Sequence, residues 1–125
     1  MQIVSTPSAP AAVGPYSQAV RTGDVLFCSG QIALDPATGE LVGTTIAEQA
    51  ERCCRNAIAV LEAAGTDAAH VVKTTCYLTD IATFGAFNEV YGRFFPGKPA
   101  RSCVEVGALP KGALCEVEVI AEVVE

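Results

Sequence analysis

The sequence predicts an α+β fold in which two helices pack on one face of a mixed β-sheet, with the element order β-β-α-β-α-β-β. Two observations support this prediction. Two segments carry apolar residues at the three- and four-residue spacing of a helix, and each lies between segments that alternate as strands do. Because a helix between two strands often connects parallel neighbours, we expect some parallel pairs, with hairpins at both ends of the chain.

The first third of the chain is predicted to be an irregular segment followed by a hairpin. Residues 1–15 contain three prolines and a glycine, so they are expected to run extended without regular structure. Residues 16–21 and 25–29 have the composition of two strands, joined by the turn Thr22-Gly23-Asp24. Residues 35–39 predict a further turn.

The helices are marked by their ends as well as by their spacing. The clearer one runs from Thr45 to Ala64, where Thr45 and Glu48 have the spacing of a capping box and a glycine follows the last turn. The second helix is predicted to begin after Asp80 and to end by the Pro-Gly pair at 96–97.

Three strands complete the prediction, at residues 71–79, about 101–107 and 113–124. In the last strand the alternate residues from Cys115 onward are apolar and are expected to face the core. Glu116 then lies on the opposite face. In the strand before it, the alternation favours a core side formed by Ser102, Val104 and Val106.

Arg101, Cys103 and Glu116 are therefore expected to share the sheet face that the helices do not cover. That face mixes apolar and charged residues, which suits a subunit interface and predicts a homo-oligomer. An arginine that grips a carboxylate through two N–H bonds, near a glutamate that accepts a proton, suits chemistry on a small acid. Taken alone, however, the two residues favour a cross-strand or interface ion pair.

Length and composition indicate a single domain over residues 1–125, because half of the residues are hydrophobic and the chain is long enough for one core. The net charge is −6 and the eight Lys and Arg residues form no basic stripe, which argues against nucleic acid and against a lipid surface as partners. Neither a secretory signal nor an apolar run long enough for a membrane span is expected.

The six cysteines lie inside periodic apolar segments, and two of them are adjacent. They form no Cys-x-x-Cys motif or His/Cys cluster of the kind that holds zinc. We therefore expect all six to be reduced and most to be buried, which predicts a cytoplasmic location. No metal or cofactor is expected.

Five motifs in the chain resemble one known family. They are Gly14-Pro15-Tyr16-Ser17-Gln18-Ala19-Val20, Ser29-Gly30-Gln31, Phe87-Asn88-Glu89-Val90-Tyr91, the segment 99–106, and Leu109-Pro110-Lys111-Gly112-Ala113 leading into Glu116. In order and spacing they resemble the Rid (YjgF-type) family of reactive intermediate deaminases, and most closely its RidA subgroup, the 2-iminobutanoate/2-iminopropanoate deaminases. The resemblance covers essentially the whole chain.

The resemblance implies a chorismate-mutase-like fold and a homotrimer with an active site between subunits. It also implies hydrolysis of 2-imino acids and their enamine tautomers to 2-oxo acids and ammonia, without a cofactor, which protects pyridoxal-phosphate enzymes. The site residues that it carries over are Tyr16, Ser29, Gly30, Asn88, Arg101, Cys103 and Glu116.

The chemistry suggests a role for each of these residues. Arg101 would bind the substrate carboxylate through its planar fork, and Glu116 would act as general base on a water. Cys103 would contribute its backbone carbonyl as a second anchor, as the family implies, since its thiol has no histidine partner nearby. Of the remaining residues, Tyr16 and Ser29 would orient the imine, Gly30 would let a backbone N–H approach, and Asn88 would fix a loop or the substrate's surroundings.

Two other functions stay open on the sequence. A non-catalytic binder would use the same Arg101 pocket to sense small 2-oxo acids or to dock on another protein. Some members of the family have also been linked to RNA cleavage or to inhibition of translation. The acidic composition of this chain argues against direct contact with RNA.

Overall fold

In the computed structural model, which describes residues 1–124, a six-stranded mixed sheet carries two helices on one face. The strands are β1 (Gln2–Val4), β2 (Ala19–Thr22), β3 (Val25–Cys28), β4 (Val71–Leu78), β5 (Ala100–Glu105) and β6 (Cys115–Glu122), and the helices are α1 (Ile46–Ala63) and α2 (Phe84–Phe94). The strand order is β1-β2-β3-β6-β4-β5. The predicted fold class is confirmed.

Both helices begin where the sequence predicts. The Glu48 N–H donates to Thr45 Oγ1 over 3.2 Å and the Thr45 N–H donates to Glu48 Oε1 over 3.1 Å, which completes the capping box of α1. A single 3₁₀ turn leads into α2, and Asp80 Oδ1 caps this turn by accepting the Ala82 N–H over 2.9 Å. No helix within residues 1–124 is both long and apolar enough to cross a bilayer.

The N-terminal hairpin is confirmed, and Gly23 takes a positive φ of 56° in its turn. The structure adds β1, a strand that the prediction for residues 1–15 lacks. It pairs antiparallel with β2, Ile3 opposite Val20. Three residues are too few to show a period of two, so only the pairing itself reveals this strand.

The predicted C-terminal hairpin is wrong. Strand β6 lies between β3 and β4 and is antiparallel to both, whereas β5 pairs with β4 in parallel and forms the edge of the sheet. The connection over residues 106–114 is long enough to pass β4, with a left-handed turn at Lys111 (φ 58°) and Gly112 (φ 70°). A turn signal between two strands does not by itself make them neighbours.

The predicted placement of Arg101 and Cys103 on the uncovered face is also wrong. Along the β4–β5 ladder Arg101 lies opposite Thr74 and Cys103 lies opposite Cys76. Paired residues share a face, and both β4 partners are fully buried under the helices. Arg101 and Cys103 are therefore on the helix-covered side.

Glu116 lies on the uncovered face, as predicted, opposite Tyr77 in β4. The error on β5 has a physical cause: an edge strand at the margin of the helix layer is half exposed on both faces, so its apolar alternation is weak. Val104, expected in the core, is 44% exposed on the uncovered face.

The core lies between the sheet and the helices. All six cysteines carry free thiols, and all but Cys103 are buried. Cys53 of α1 and Cys115 of β6 approach within 3.7 Å, sulfur to sulfur. The cysteines act as small apolar residues in this layer, which agrees with the expectation that they are reduced.

Candidate active site

A groove of about 930 Å³ opens beside the uncovered end of β6. Three stretches of chain form its walls: the segment before β2, the loop after β3, and the turn before β6 together with β6 itself. Tyr16, Ser29, Gly30 and Glu116 all line it. The structure thus brings four of the predicted site residues together.

Gly30 and Glu116 are in close contact at the centre of this group. A Cβ on Gly30 would lie 2.5 Å from Oε2 and 2.7 Å from Cδ of Glu116, so a larger residue cannot fit without displacing the carboxylate. A reciprocal pair of backbone hydrogen bonds between Gln31 and Val117, of 2.8 and 3.0 Å, holds the two segments together. Glycine at this position therefore lets the Glu116 carboxylate lie against the backbone.

Tyr16 and Ser29 form one side of the groove. The Ser29 hydroxyl donates to the Ser17 carbonyl over 2.5 Å, which leaves its oxygen able to accept a hydrogen bond. Tyr16 is 54% exposed, and its hydroxyl accepts from the Val13 N–H over 3.4 Å. The tyrosine hydroxyl retains its own proton for donation.

The Glu116 carboxyl is half-buried, and its pKa is raised, mainly by burial and further by the charge of Glu118. Glu118 also lines the groove, two residues along the same strand, and accepts a hydrogen bond from the Tyr77 hydroxyl over 3.4 Å. A carboxylate with a raised pKa is a stronger base once ionised. Glu118 is not among the site residues that the sequence predicts, and its i, i+2 spacing from Glu116 is the signal that could have identified it.

Arg101 lies in a cage formed by one stripe of α2. Its guanidinium carbon is 4.8 Å from the Tyr91 ring centroid and 5.3 Å from that of Phe84, and its Nη1 donates to Asn88 Oδ1 over 2.7 Å. Residues 84, 88 and 91 have helical i, i+4, i+7 spacing. The Tyr91 hydroxyl is in turn 2.7 Å from the buried Thr74 hydroxyl.

This cage defines what Asn88 does within the chain: it holds Arg101. Phe84 and Tyr91 are not among the site residues that the sequence predicts, although both contact the guanidinium. The spacing of the three residues on α2 was a usable signal, but only with the knowledge that β5 runs beside that helix.

Cys103 is half-buried, and burial raises the pKa of its thiol although the nearby Arg101 charge opposes the effect. At neutral pH the group is therefore a thiol, which is a poor nucleophile. A backbone role for this edge-strand residue fits better than a thiol role.

The predicted site residues thus form two groups. Tyr16, Ser29, Gly30 and Glu116 line the groove, whereas Asn88, Arg101 and Cys103 lie at the helix-covered edge and do not line it. The sheet separates the two groups within one chain. Within one chain, Arg101 and Glu116 consequently do not form a cross-strand ion pair.

Fold and site together define the class: a two-layer α+β protein with a carboxylate-bearing groove on one side of its sheet and a caged arginine on the other. The family model described as Endoribonuclease L-PSP matches residues 6–123. The chain belongs to this family, which is the Rid (YjgF-type) family, so the resemblance found in the sequence is confirmed.

Three relatives illustrate the match. A RutC family protein of Sinorhizobium fredii is 54% identical over 118 residues, 94% of each chain. The mouse 2-iminobutanoate/2-iminopropanoate deaminase is 46% identical over 121 residues, 96% of this chain and 90% of the relative. The crystal structure of a Yersinia pestis member of the Rid family superposes with a TM-score of 0.95 at 48% identity, covering 98% of both chains. The family thus includes deaminases and members with other names.

Proposed function

We propose that this protein hydrolyses 2-iminopropanoate, 2-iminobutanoate and their enamine tautomers to 2-oxo acids and ammonia, without a cofactor, and so protects pyridoxal-phosphate enzymes. The observation that carries the proposal is that the Arg101 guanidinium is held in place but has no carboxylate partner among the described residues. Its guanidinium is held by two rings and an amide, yet no carboxylate within residues 1–124 pairs with it. A positioned fork of this kind is suited to a small anionic ligand.

A second copy of the chain would complete the site. Since the sheet separates Arg101 from Glu116 in one chain, we propose that Arg101 of one subunit faces the Glu116 groove of the next. The uncovered sheet face supports such packing because it exposes apolar residues, among them Phe27 at 48% and Val104 at 44%. In this proposal residues 1–125 act as one domain of a cytoplasmic homotrimer.

Each residue then has a defined task. Arg101 binds the substrate carboxylate through its free N–H groups, with the Cys103 carbonyl on the edge strand as a second anchor. Tyr16 donates to the substrate and Ser29 accepts from it, which orients the imine carbon towards Glu116. Because a protonated imine carbon is strongly electrophilic, a water needs only placement and loss of a proton.

The proton balance closes on Glu116. The carboxylate takes a proton from the water as its oxygen bonds to the imine carbon, which gives a tetrahedral carbinolamine. Glu116 then delivers this proton to the nitrogen. As the C–N bond breaks, Glu116 takes the proton of the carbinolamine hydroxyl, which leaves the 2-oxo acid and ammonia. Ammonia takes that last proton and departs as ammonium, so Glu116 returns to the carboxylate. Positioned acid–base catalysis contributes about 10²–10⁴-fold, or about 3–5 kcal/mol, which suits a reaction that proceeds unaided.

A coupled assay tests this function. A serine dehydratase generates 2-iminopropanoate, and the rate of its disappearance is followed with and without the protein. We expect acceleration by the wild type, none by Arg101→Ala, and full acceleration by Arg93→Ala, a matched loss of an exposed arginine that pairs with Glu89 on α2. Wild-type protein that binds pyruvate but gives no acceleration would favour the sensor instead.

A further inference from the structure

Asn56 is a buried amide that the proposed mechanism does not use. It lies on α1 and is 0% exposed. Asparagine is a weak helix former, and burying an amide is unfavourable unless its polar atoms are paired. We therefore expect a buried asparagine on an apolar helix face to form hydrogen bonds with a segment outside the helix.

The partners of Asn56 lie in the loop after β3. Its Nδ2 donates to the Ile32 carbonyl over 3.2 Å and to the Leu34 carbonyl over 2.9 Å. The same two residues line the groove, together with Pro36 and Ala37. Asn56 thus holds, from behind, an apolar wall of the groove, defined here as the 32–39 wall.

A second buried amide acts on the same structure two helical turns earlier. Gln49 is 2% exposed; its Nε2 donates to the Gly43 carbonyl over 3.0 Å, and its Oε1 accepts the Leu114 N–H over 2.8 Å. Gly43 follows the 32–39 wall, and Leu114 lies two residues before Glu116. The Gln49 side chain thereby connects the segment that follows the 32–39 wall to the start of β6, the strand that carries Glu116.

We propose that Asn56 and Gln49 are positioning residues that set the distance between the 32–39 wall and Glu116, and thereby the side chains that a substrate can carry. The inference rests on the proposed function. Four of the groove-lining residues of this wall, at positions 32, 34, 36 and 37, are apolar, so the wall fits imines of amino acids with aliphatic side chains. A small imine held by its carboxylate is expected to stop short of this wall, whereas binding of a larger imine would depend on the wall's position.

The test compares two substrates in three variants. Asn56→Leu and Gln49→Met keep the shape and remove the hydrogen bonds. Thr66→Val is the matched control, because it removes a buried side-chain bond to a backbone carbonyl, that of Glu122, at the far end of β6. The substrates are the imines of alanine and leucine, generated with an L-amino acid oxidase.

We expect both amide variants to raise KM for the leucine imine about tenfold, with KM for the alanine imine and both kcat values within about twofold of wild type. Thr66→Val should leave all four constants within the same range. Equal changes for both substrates, or no change, would overturn the inference. Should Asn56→Leu fail to fold, Asn56→Ser and Gln49→Met carry the same comparison.

Binding of stable 2-oxo acids separates this inference from the proposed function. Dissociation constants for pyruvate and 4-methyl-2-oxopentanoate are measured by NMR titration, which needs no turnover. If the wild type hydrolyses neither imine, the proposed function fails, yet a selective loss of affinity for the larger acid in the amide variants would still support the positioning role. Absence of binding, or of that selectivity, would contradict it.

Discussion

The two groups of candidate site residues are built in different ways. We call Tyr16, Ser29, Gly30 and Glu116 the groove half, and Asn88, Arg101 and Cys103 the edge half. In the groove half, backbone hydrogen bonds position the residues: the reciprocal pair between Gln31 and Val117 places Gly30 against Glu116. In the edge half, side chains position the arginine: Phe84, Asn88 and Tyr91 of α2 contact the Arg101 guanidinium. The groove half tolerates little change in residue size, whereas the edge half depends on charge and on stacking. In the proposed enzyme, neither half is a complete site by itself.

The largest effect is expected in the edge half, at Arg101. Arg101→Ala should lower kcat/KM for 2-iminopropanoate by about 10³-fold or more, because the variant loses the charged fork for the carboxylate. Arg101→Lys should recover little, since an ammonium cannot make the bidentate contact. Steady-state kinetics and a thermal melt check this. A variant that keeps wild-type kinetics would remove Arg101 from the site.

In the groove half, Glu116→Gln should lower kcat by about 10²–10⁴-fold, because the amide cannot accept the water's proton. Binding of pyruvate should stay within a few-fold of wild type, since Arg101 is intact. Single-turnover kinetics and NMR titration measure the two quantities. An unchanged kcat would exclude Glu116 as the base.

Gly30→Ala tests the packing that distinguishes the groove half. The added methyl overlaps the carboxylate and must displace it, so we expect a loss of about 10²-fold in kcat/KM. The free energy of unfolding should change little, because the displaced atoms are the end of a flexible side chain. Gly92→Ala in α2 is the control. Its Cβ meets nothing within 4 Å, so it should stabilise the fold by roughly 0.5–1 kcal/mol. Full activity in Gly30→Ala would show that the contact is not needed.

The smallest effect concerns pH. The charge of Glu118 is the lesser of the two causes that raise the pKa of Glu116, and burial is the greater. Removing that charge in Glu118→Gln favours ionised Glu116, so the acid limb of the kcat/KM profile should move to lower pH. Movement to higher pH would contradict this sign.

The groove half was the easier to predict from the sequence. Ser29, Gly30 and Glu116 belong to short local motifs, and the period of two placed Glu116 correctly on the uncovered face. The helices were equally clear, because the capping box at Thr45 and the cap at Asp80 are local signals.

The edge half was not predictable in the same way. The face of Arg101 depends on β5 pairing with β4 in parallel, and on the insertion of β6 between β3 and β4. Both are long-range pairings that a turn signal cannot reveal. The role of Asn56 could not be predicted for a similar reason, since its hydrogen-bond partners lie in a loop that is distant in sequence.

The most direct test of the account mixes two inactive chains. Arg101→Ala and Glu116→Gln subunits are unfolded together, refolded as mixed oligomers and assayed with 2-iminopropanoate. If each site takes Arg101 from one subunit and Glu116 from another, random mixing at equal ratio should restore about a quarter of wild-type activity. Mixed oligomers, verified by native mass spectrometry, that stay inactive would contradict a site shared between chains.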